Sequence, residues 1–376
     1  MQSQELSRVQ TEAEAQPERA PLARSRWIID PVFDLLFVAG GIPILLIAAN
    51  VFWFGWRTPE AFPYSQSRTS GLLLGLVLIG QHLFANSHNV ATYLRIWGSQ
   101  ESRDRFHFYR TWLVALFIPF FLLGLISPTV TGVYVYLYLM AVFWHYAAQS
   151  YGIALIYCYK RSYPLRPIEK RIMKLCMTSL SAFAILRLAS DRQYSPAEWY
   201  GVALPFWGPF PPVLYRSAEI VFSLSVLAFC FVIISKLVRE KKLFPLPSLM
   251  VLLAVVALGL SENASNALLW FYVPVFFHGT QYLAITLSYM LKERGEVGTI
   301  SLQKLLCSPL AGRFFAISVV VGGFLYVVVP HVFEQFGFNY AMVAGLVLAI
   351  VNFHHFATDA AIWRLRDPRC REILLA

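Results

Sequence analysis

Six of the eight histidines, His82, His88, His145, His278, His354 and His355, lie inside long apolar stretches of the chain. Imidazole is costly in hydrocarbon unless it finds a partner, a proton path or a metal, so a set of this size is a site hypothesis by default. Neutral imidazole suits zinc, copper, iron and nickel. Three or four histidines with one carboxylate and open positions form the ligand type of non-haem Fe(II) oxygen chemistry. A carboxylate is at hand. In Asn352-Phe353-His354-His355-Phe356-Ala357-Thr358-Asp359 the pair His355 and Asp359 is i, i+4 on one helix face. An aspartate at that depth acts as a ligand or as the acceptor that fixes a ligand's tautomer.

The other histidines also have polar company at helical spacing. His82, Asn86 and Asn89 fall at i, i+4, i+7, while Gln81 and His88 form a second stripe about 100° away. His82 is therefore the better ligand candidate, and His88 a supporting or entry residue. Gln149 lies one turn after His145, and Gln281 and Tyr282 follow His278 at i+3 and i+4. Candidate metal ligands are therefore found among His82, His145, His278 and the adjacent pair His354 and His355. Asp359 and His354 are expected to take part in the chemistry, and Asn86, His88, Gln149 and Gln281 to support the bound cofactor.

These residues need elements to carry them to one place. The chain is 57% hydrophobic and 14% charged, which marks an integral membrane protein. Apolar stretches long enough to cross a hydrocarbon layer of about 30 Å begin near Pro31, Gly71, Phe106, Val130, Ile172, Tyr215, Pro245, Ala264, Phe314 and Tyr340. The fold class expected is thus an all-α, polytopic membrane helix bundle of about ten transmembrane helices, multi-pass in the cell membrane. With both termini cytoplasmic, all of the 31 Lys and Arg except Arg57, Arg68, Arg187, Arg192 and Arg216 fall on the inner side, as the positive-inside rule requires. The second, fourth, eighth and tenth spans then run in the same direction. Their histidines His82, His145, His278 and His354 lie at about 12 to 14 residues from the span starts, roughly 18 to 21 Å of rise, so four helices bring imidazoles to one level.

Residues 1–26 are polar and lack an apolar signal core, and are expected to form a disordered cytoplasmic tail ahead of a single helical domain over 27–376. The five cysteines are scattered and show no thiolate metal motif. Asp30 and Asp34 at the start of the first span read as helix caps. The net charge of +10 follows from topology and attraction to anionic lipid, and gives no reason to invoke nucleic acid. Oligomeric state is not encoded in any of these features.

The His-bearing spans, with His355 and Asp359 four apart on the final helix, resemble the Brp/Blh family of membrane β-carotene 15,15′-dioxygenases. The resemblance covers four short motifs. It implies a multi-span bundle in which histidines hold Fe(II) and a carotenoid is cleaved oxidatively to retinal. Carried over to this sequence, it gives His82, His145, His278 and His355 as ligands with Asp359 beside His355. The chain departs from the family pattern at Gln81-His82-Leu83 with Asn86, where the family has Pro-His-Gly and an aspartate four after the histidine.

Burial of the set predicts a lipophilic small-molecule substrate that arrives from the lipid bilayer. Two other readings use the same residues. A haem electron carrier would use two of the histidines axially, and a proton or solute transporter would use the buried His and Asp as a pathway. Trp363-Arg364-Leu365-Arg366 reads as an interfacial anchor with no catalytic role.

Overall fold

The computed structural model describes residues 25–42, 44–45, 79–192, 195, 197–199, 202–259, 274–295 and 298–376. Among them the chain is almost wholly helical, and one two-stranded antiparallel ladder, β1 (Glu198–Trp199) with β2 (Val202–Ala203), pairs Glu198 with Ala203. The main helices are α1 (Ser87–Trp97), α2 (Trp112–Ile126), α3 (Pro128–Lys160), α4 (Pro167–Ser190), α5 (Pro212–Glu240), α6 (Leu246–Gly259), α7 (Thr280–Glu293), α8 (Pro309–Gly323), α9 (Tyr340–Ile362) and α10 (Pro368–Leu375).

Helix starts are written locally. Proline occupies the first turn of α3, α4, α5, α8 and α10, where its missing N–H costs nothing. Ser127, Ser308, Asn339 and Asp367 cap α3, α8, α9 and α10 by accepting from the first-turn amides of Val130, Ala311, Met342 and Cys370. At α4, Glu169 Oε2 accepts from Arg166 N at 2.7 Å. Asp30 accepts from Val32 N at 2.9 Å, as expected of a cap. Asp34 is not the helix cap its position suggested: fully buried, its carboxylate accepts from Ile28 N and Ile29 N, ahead of the helix, and from Tyr157 Oη, and so ties the first segment to α3.

Among the described residues, six helical segments are long and apolar enough to cross a membrane: His107–Ile126, Pro128–Lys160, Pro167–Ser190, Pro212–Glu240, Pro309–Gln335 and Tyr340–Ile362. They coincide with six of the ten stretches read from the sequence. Of the other four, α6 is short, and those beginning near Pro31, Gly71 and Ala264 lie partly or wholly outside the described residues. Large apolar side chains such as Leu116, Ile118 and Leu122 on α2 and Leu224, Leu227 and Phe231 on α5 face outward. An apolar exterior of that extent marks a lipid-facing surface. Residues 1–24 of the expected tail also fall outside the described residues. Ser25, at its end, is packed, with its hydroxyl 2.8 Å from Thr299 Oγ1.

The 33-residue α3, about 50 Å long at 1.5 Å per residue, packs against α2, α4, α6, α9 and α10. On the other side of the centre, α1 packs against α7, α8 and α9. Two wide π-helical turns, Gln81–Asn86 leading into α1 and Pro274–Gly279 leading into α7, lie against each other. Wide turns of this kind cluster at functional sites because they redirect side chains that a regular helix would hold on another face.

Candidate metal centre

Four imidazoles meet where α1, α3, α7 with its preceding wide turn, and α9 converge. Ring centroids are 4.8 Å apart for His88 and His278, 4.7 Å for His278 and His145, 4.8 Å for His145 and His355, and 4.7 Å for His355 and His88. The rings thus close a four-membered circuit. All four side chains are buried, His355 completely. One group of candidate donor atoms comprises His88, His278 and His355, and another His145, His355 and Asp359, each set lying within 4.8 Å. His355 belongs to both.

The protons in this cluster can be traced. His88 Nδ1 donates to the backbone carbonyl of Ala85, which only accepts, so Nε2 carries the lone pair. Nε2 of His88 and Nε2 of His278 are buried with no hydrogen-bond partner. Each such orphan costs about 1–3 kcal/mol, and a cation between them would satisfy both. His355 and His145 face each other through Nε2 atoms 3.2 Å apart. Two imidazoles ligating one ion in adjacent positions at about 2.1 Å would be separated by about 3.0–3.4 Å. That pair therefore has the spacing of two ligands on one transition-metal ion, and His355 links it to the donor group of His88 and His278.

A hydrogen-bonded chain runs to His355. Trp363 Nε1 donates to Tyr282 Oη at 3.1 Å, and Tyr282 Oη donates to Asp359 Oδ1 at 2.6 Å. Thr92 Oγ1 lies 2.7 Å from Tyr282 Oη, 3.4 Å from Asp359 Oδ1 and 2.6 Å from His355 Nδ1. With its own proton given to either oxygen, Thr92 can accept from His355 Nδ1, and in that tautomer His355 Nε2 is free toward the cluster. Asp359 Oδ2 stands 3.5 Å from His355 Nε2 and 3.9 Å from His145 Nε2. One carboxylate oxygen is thus engaged in the supporting chain while the other faces the imidazoles.

Of the residues expected from the sequence, His145, His278, His355 and Asp359 are brought together. His82 is not. It is half-buried in the Gln81–Asn86 wide turn, and its ring lies where Gly323 leaves room, since a Cβ there would stand 2.7 Å from His82 Cε1. His88, expected in support, takes the fourth corner. The reason is that the extra residue per turn breaks the i, i+4, i+7 count that had placed His82, Asn86 and Asn89 on one face. Asn86 accepts from Gln81 Nε2 and packs beside Gly322, away from the four rings.

His354 is also turned away. Its Nε2 donates to the carbonyl of Tyr109 at 2.7 Å and its ring stacks on Tyr93 at 4.9 Å, because neighbours on a helix point about 100° apart. Gln149 and Gln281 brace helices and do not line the circuit of rings with their hydrogen bonds. Gln149 Nε2 donates to His278 O and to Gln281 Oε1, and Gln281 Nε2 donates to Val38 O. Trp363, read as a plain anchor, is a member of the Asp359 chain, and Thr92 had not been singled out.

Beside the cluster lies a cleft of about 400 Å³. Its walls come from α3, α7, α9 and α10, with Ala148, Gly152, Ile153, Phe356 and Leu374 among the apolar residues and His145 and Asp359 at the polar edge. The volume falls in the range of small-molecule sites, and so does the mix of many apolar groups with a few polar ones. Compared with family models, curated proteins and solved structures, the chain matches none.

Proposed function

We propose that this protein is a membrane-embedded, metal-dependent oxidoreductase, with non-haem Fe(II) as the metal and a lipophilic molecule such as a carotenoid or lipid as the substrate. The observation that carries this reading is the meeting of four buried imidazoles, two with orphaned Nε2 atoms, at the edge of an apolar cleft. His88, His145, His278 and His355 would hold the ion, with Asp359 beside them. Bound there, ferrous iron would supply the one-electron chemistry that organic groups need in order to react with O2.

The chain's own residues do the rest. Ala85 holds His88 with Nε2 unprotonated, so that histidine offers a lone pair without first losing a proton, and Thr92 can accept from His355 Nδ1 to leave His355 in the same tautomer. Ala148, Gly152, Ile153 and Phe356 would seat an apolar substrate and keep water from the polar edge. Asp359, held through Oδ1 by Tyr282, keeps Oδ2 directed toward the reacting region. The resemblance of the His motifs to the Brp/Blh dioxygenases supports oxidative cleavage of a carotenoid as the reaction to assay first. A ten-span topology with both termini cytoplasmic, in the cell membrane, belongs to the same proposal.

Haem fits the residues poorly. Axial imidazoles on one haem iron must keep their ligating nitrogens about 4 Å apart across the macrocycle, whereas His145 and His355 Nε2 are 3.2 Å apart. No tetrapyrrole plane can lie between them. A solute pathway is disfavoured by the cleft, whose walls are mostly apolar. Elemental analysis and an optical spectrum of the purified protein test the reading. The expected result is about one iron per chain with no Soret band, and a haem spectrum or metal-free protein would overturn it.

A further inference from the structure

A second cavity, of about 410 Å³, lies at the shared end of α3, α5 and α6, apart from the histidine cluster. Arg26, Lys160, Arg161 and Ser162 line it together with Leu243, Phe244, Pro245 and Leu246, and no acidic residue among the described ones does. Lys160 Nζ is held by Ser25 O at 3.4 Å and Ala376 O at 2.8 Å, so it contributes charge at a fixed place. Arg161 is held differently. Its guanidinium sits over the Trp27 ring at 4.0 Å, which fixes the plane, and its Nε and Nη2 atoms are buried without a hydrogen-bond partner.

Those two nitrogens form one edge of the guanidinium, and this edge is the fork that binds two oxygens of a phosphate or carboxylate side by side. The buried carboxylate of Asp34 is already engaged by Ile28 N, Ile29 N and Tyr157 Oη. Around this basic pocket the surface is apolar. Leu243 and Leu246 are 76% and 59% exposed at the ends of two helices. Lys241 and Lys242, also exposed, stand beside them. Cationic groups next to exposed apolar side chains at the ends of membrane helices suit a phosphate group that carries acyl chains.

We propose that this cavity binds the phosphate headgroup of an anionic phospholipid, with Arg161 and Arg26 on the phosphate and the acyl chains along Leu243 and Leu246. The test is native mass spectrometry of the full-length, detergent-solubilised protein with dioleoyl phosphatidylglycerol, dioleoyl phosphatidylcholine, or inorganic phosphate alone. The intact protein should retain phosphatidylglycerol in preference to phosphatidylcholine. The double variant Arg26→Gln/Arg161→Gln should weaken that retention about 30-fold, given about 1 kcal/mol for each cation at a lipid surface. Arg313→Gln, an exposed charge change elsewhere, should leave it unaltered.

Because loss of the Arg161 stack on Trp27 can unsettle the fold, Ser162→Asp provides a second variant. Ser162 is exposed at φ 52°, a conformation that Asp tolerates, and the substitution sets a carboxylate at the cavity. It should lower retention while the protein stays monodisperse on gel filtration. Equal retention of both lipids, or unchanged retention in both cavity variants, overturns the proposal. Inorganic phosphate binding as tightly as phosphatidylglycerol would assign the pocket to a free anion and overturn the lipid occupant.

Discussion

His88→Ala should empty the proposed metal centre, whereas His82→Ala should leave it filled. His88 holds one corner of the four-ring circuit, 4.8 Å from His278 and 4.7 Å from His355, and its Nε2 is buried without a protein partner. Its removal takes away a ligand and leaves His278 Nε2 with one neighbour fewer. Loss of a group that merely supports a ligand typically costs 10- to 100-fold in metal affinity, so loss of the ligand should exceed about 100-fold. His82 lies against Gly323 and makes no contact with the circuit, so its truncation should change iron content by less than about a tenth. Elemental analysis of the two variants, each purified as a monodisperse species, makes the comparison. Retention of metal by the His88 variant, or its loss from the His82 variant, would restore the arrangement expected from the sequence.

Gly152→Leu should separate substrate binding from metal binding. Gly152 lines the cleft two turns along α3 from His145, and a Cβ added there meets no atom within 4 Å. A leucine can therefore grow into the cleft without displacing the protein. Removing glycine from a helix interior also favours the helix, by about 0.5–1 kcal/mol relative to glycine. The variant should fold and keep its iron, yet turn over a lipophilic substrate at least about tenfold more slowly, because part of the volume beside Asp359 is filled. Unimpaired turnover would show that substrate does not lie in this cleft.

Most of the site was legible in the sequence through depth and helical spacing. His145, His278 and Asp359 are where those two rules put them, whereas depth pointed to His354 and it was the resemblance that gave its neighbour His355. The choice between His82 and His88 depended on a regular helix from residue 81 onward, and the Gln81–Asn86 wide turn is not encoded by apolar periodicity. A finer signal was present. His88, His145, His278 and His355 are each followed four residues later by a polar side chain: Thr92, Gln149, Tyr282 and Asp359. Three of those four form the chain that runs to His355, and the fourth bonds the backbone of His278. His82 shares the pattern through Asn86, so the signal alone could not have removed it.

The fold was legible where apolar runs are long and interrupted by proline, serine or asparagine caps, as at α3, α8 and α9. It was less so at α6, whose 14 residues fall short of a full crossing. Roles that depend on contact between distant segments could not be read at all. Trp363 looked like an interfacial anchor because its indole partner, Tyr282, is 81 residues away. Arg161 looked like one more inner-side charge until its stack on Trp27 and its unpaired edge were seen.

In the arrangement proposed, four imidazoles share one metal ion. Iron-edge X-ray absorption of the purified, iron-loaded protein measures this directly. The expected spectrum carries the multiple-scattering signature of about four imidazoles with nitrogen at about 2.1 Å and no sulfur or porphyrin contribution. A spectrum with fewer than two imidazoles, or one of a tetrapyrrole, would contradict it.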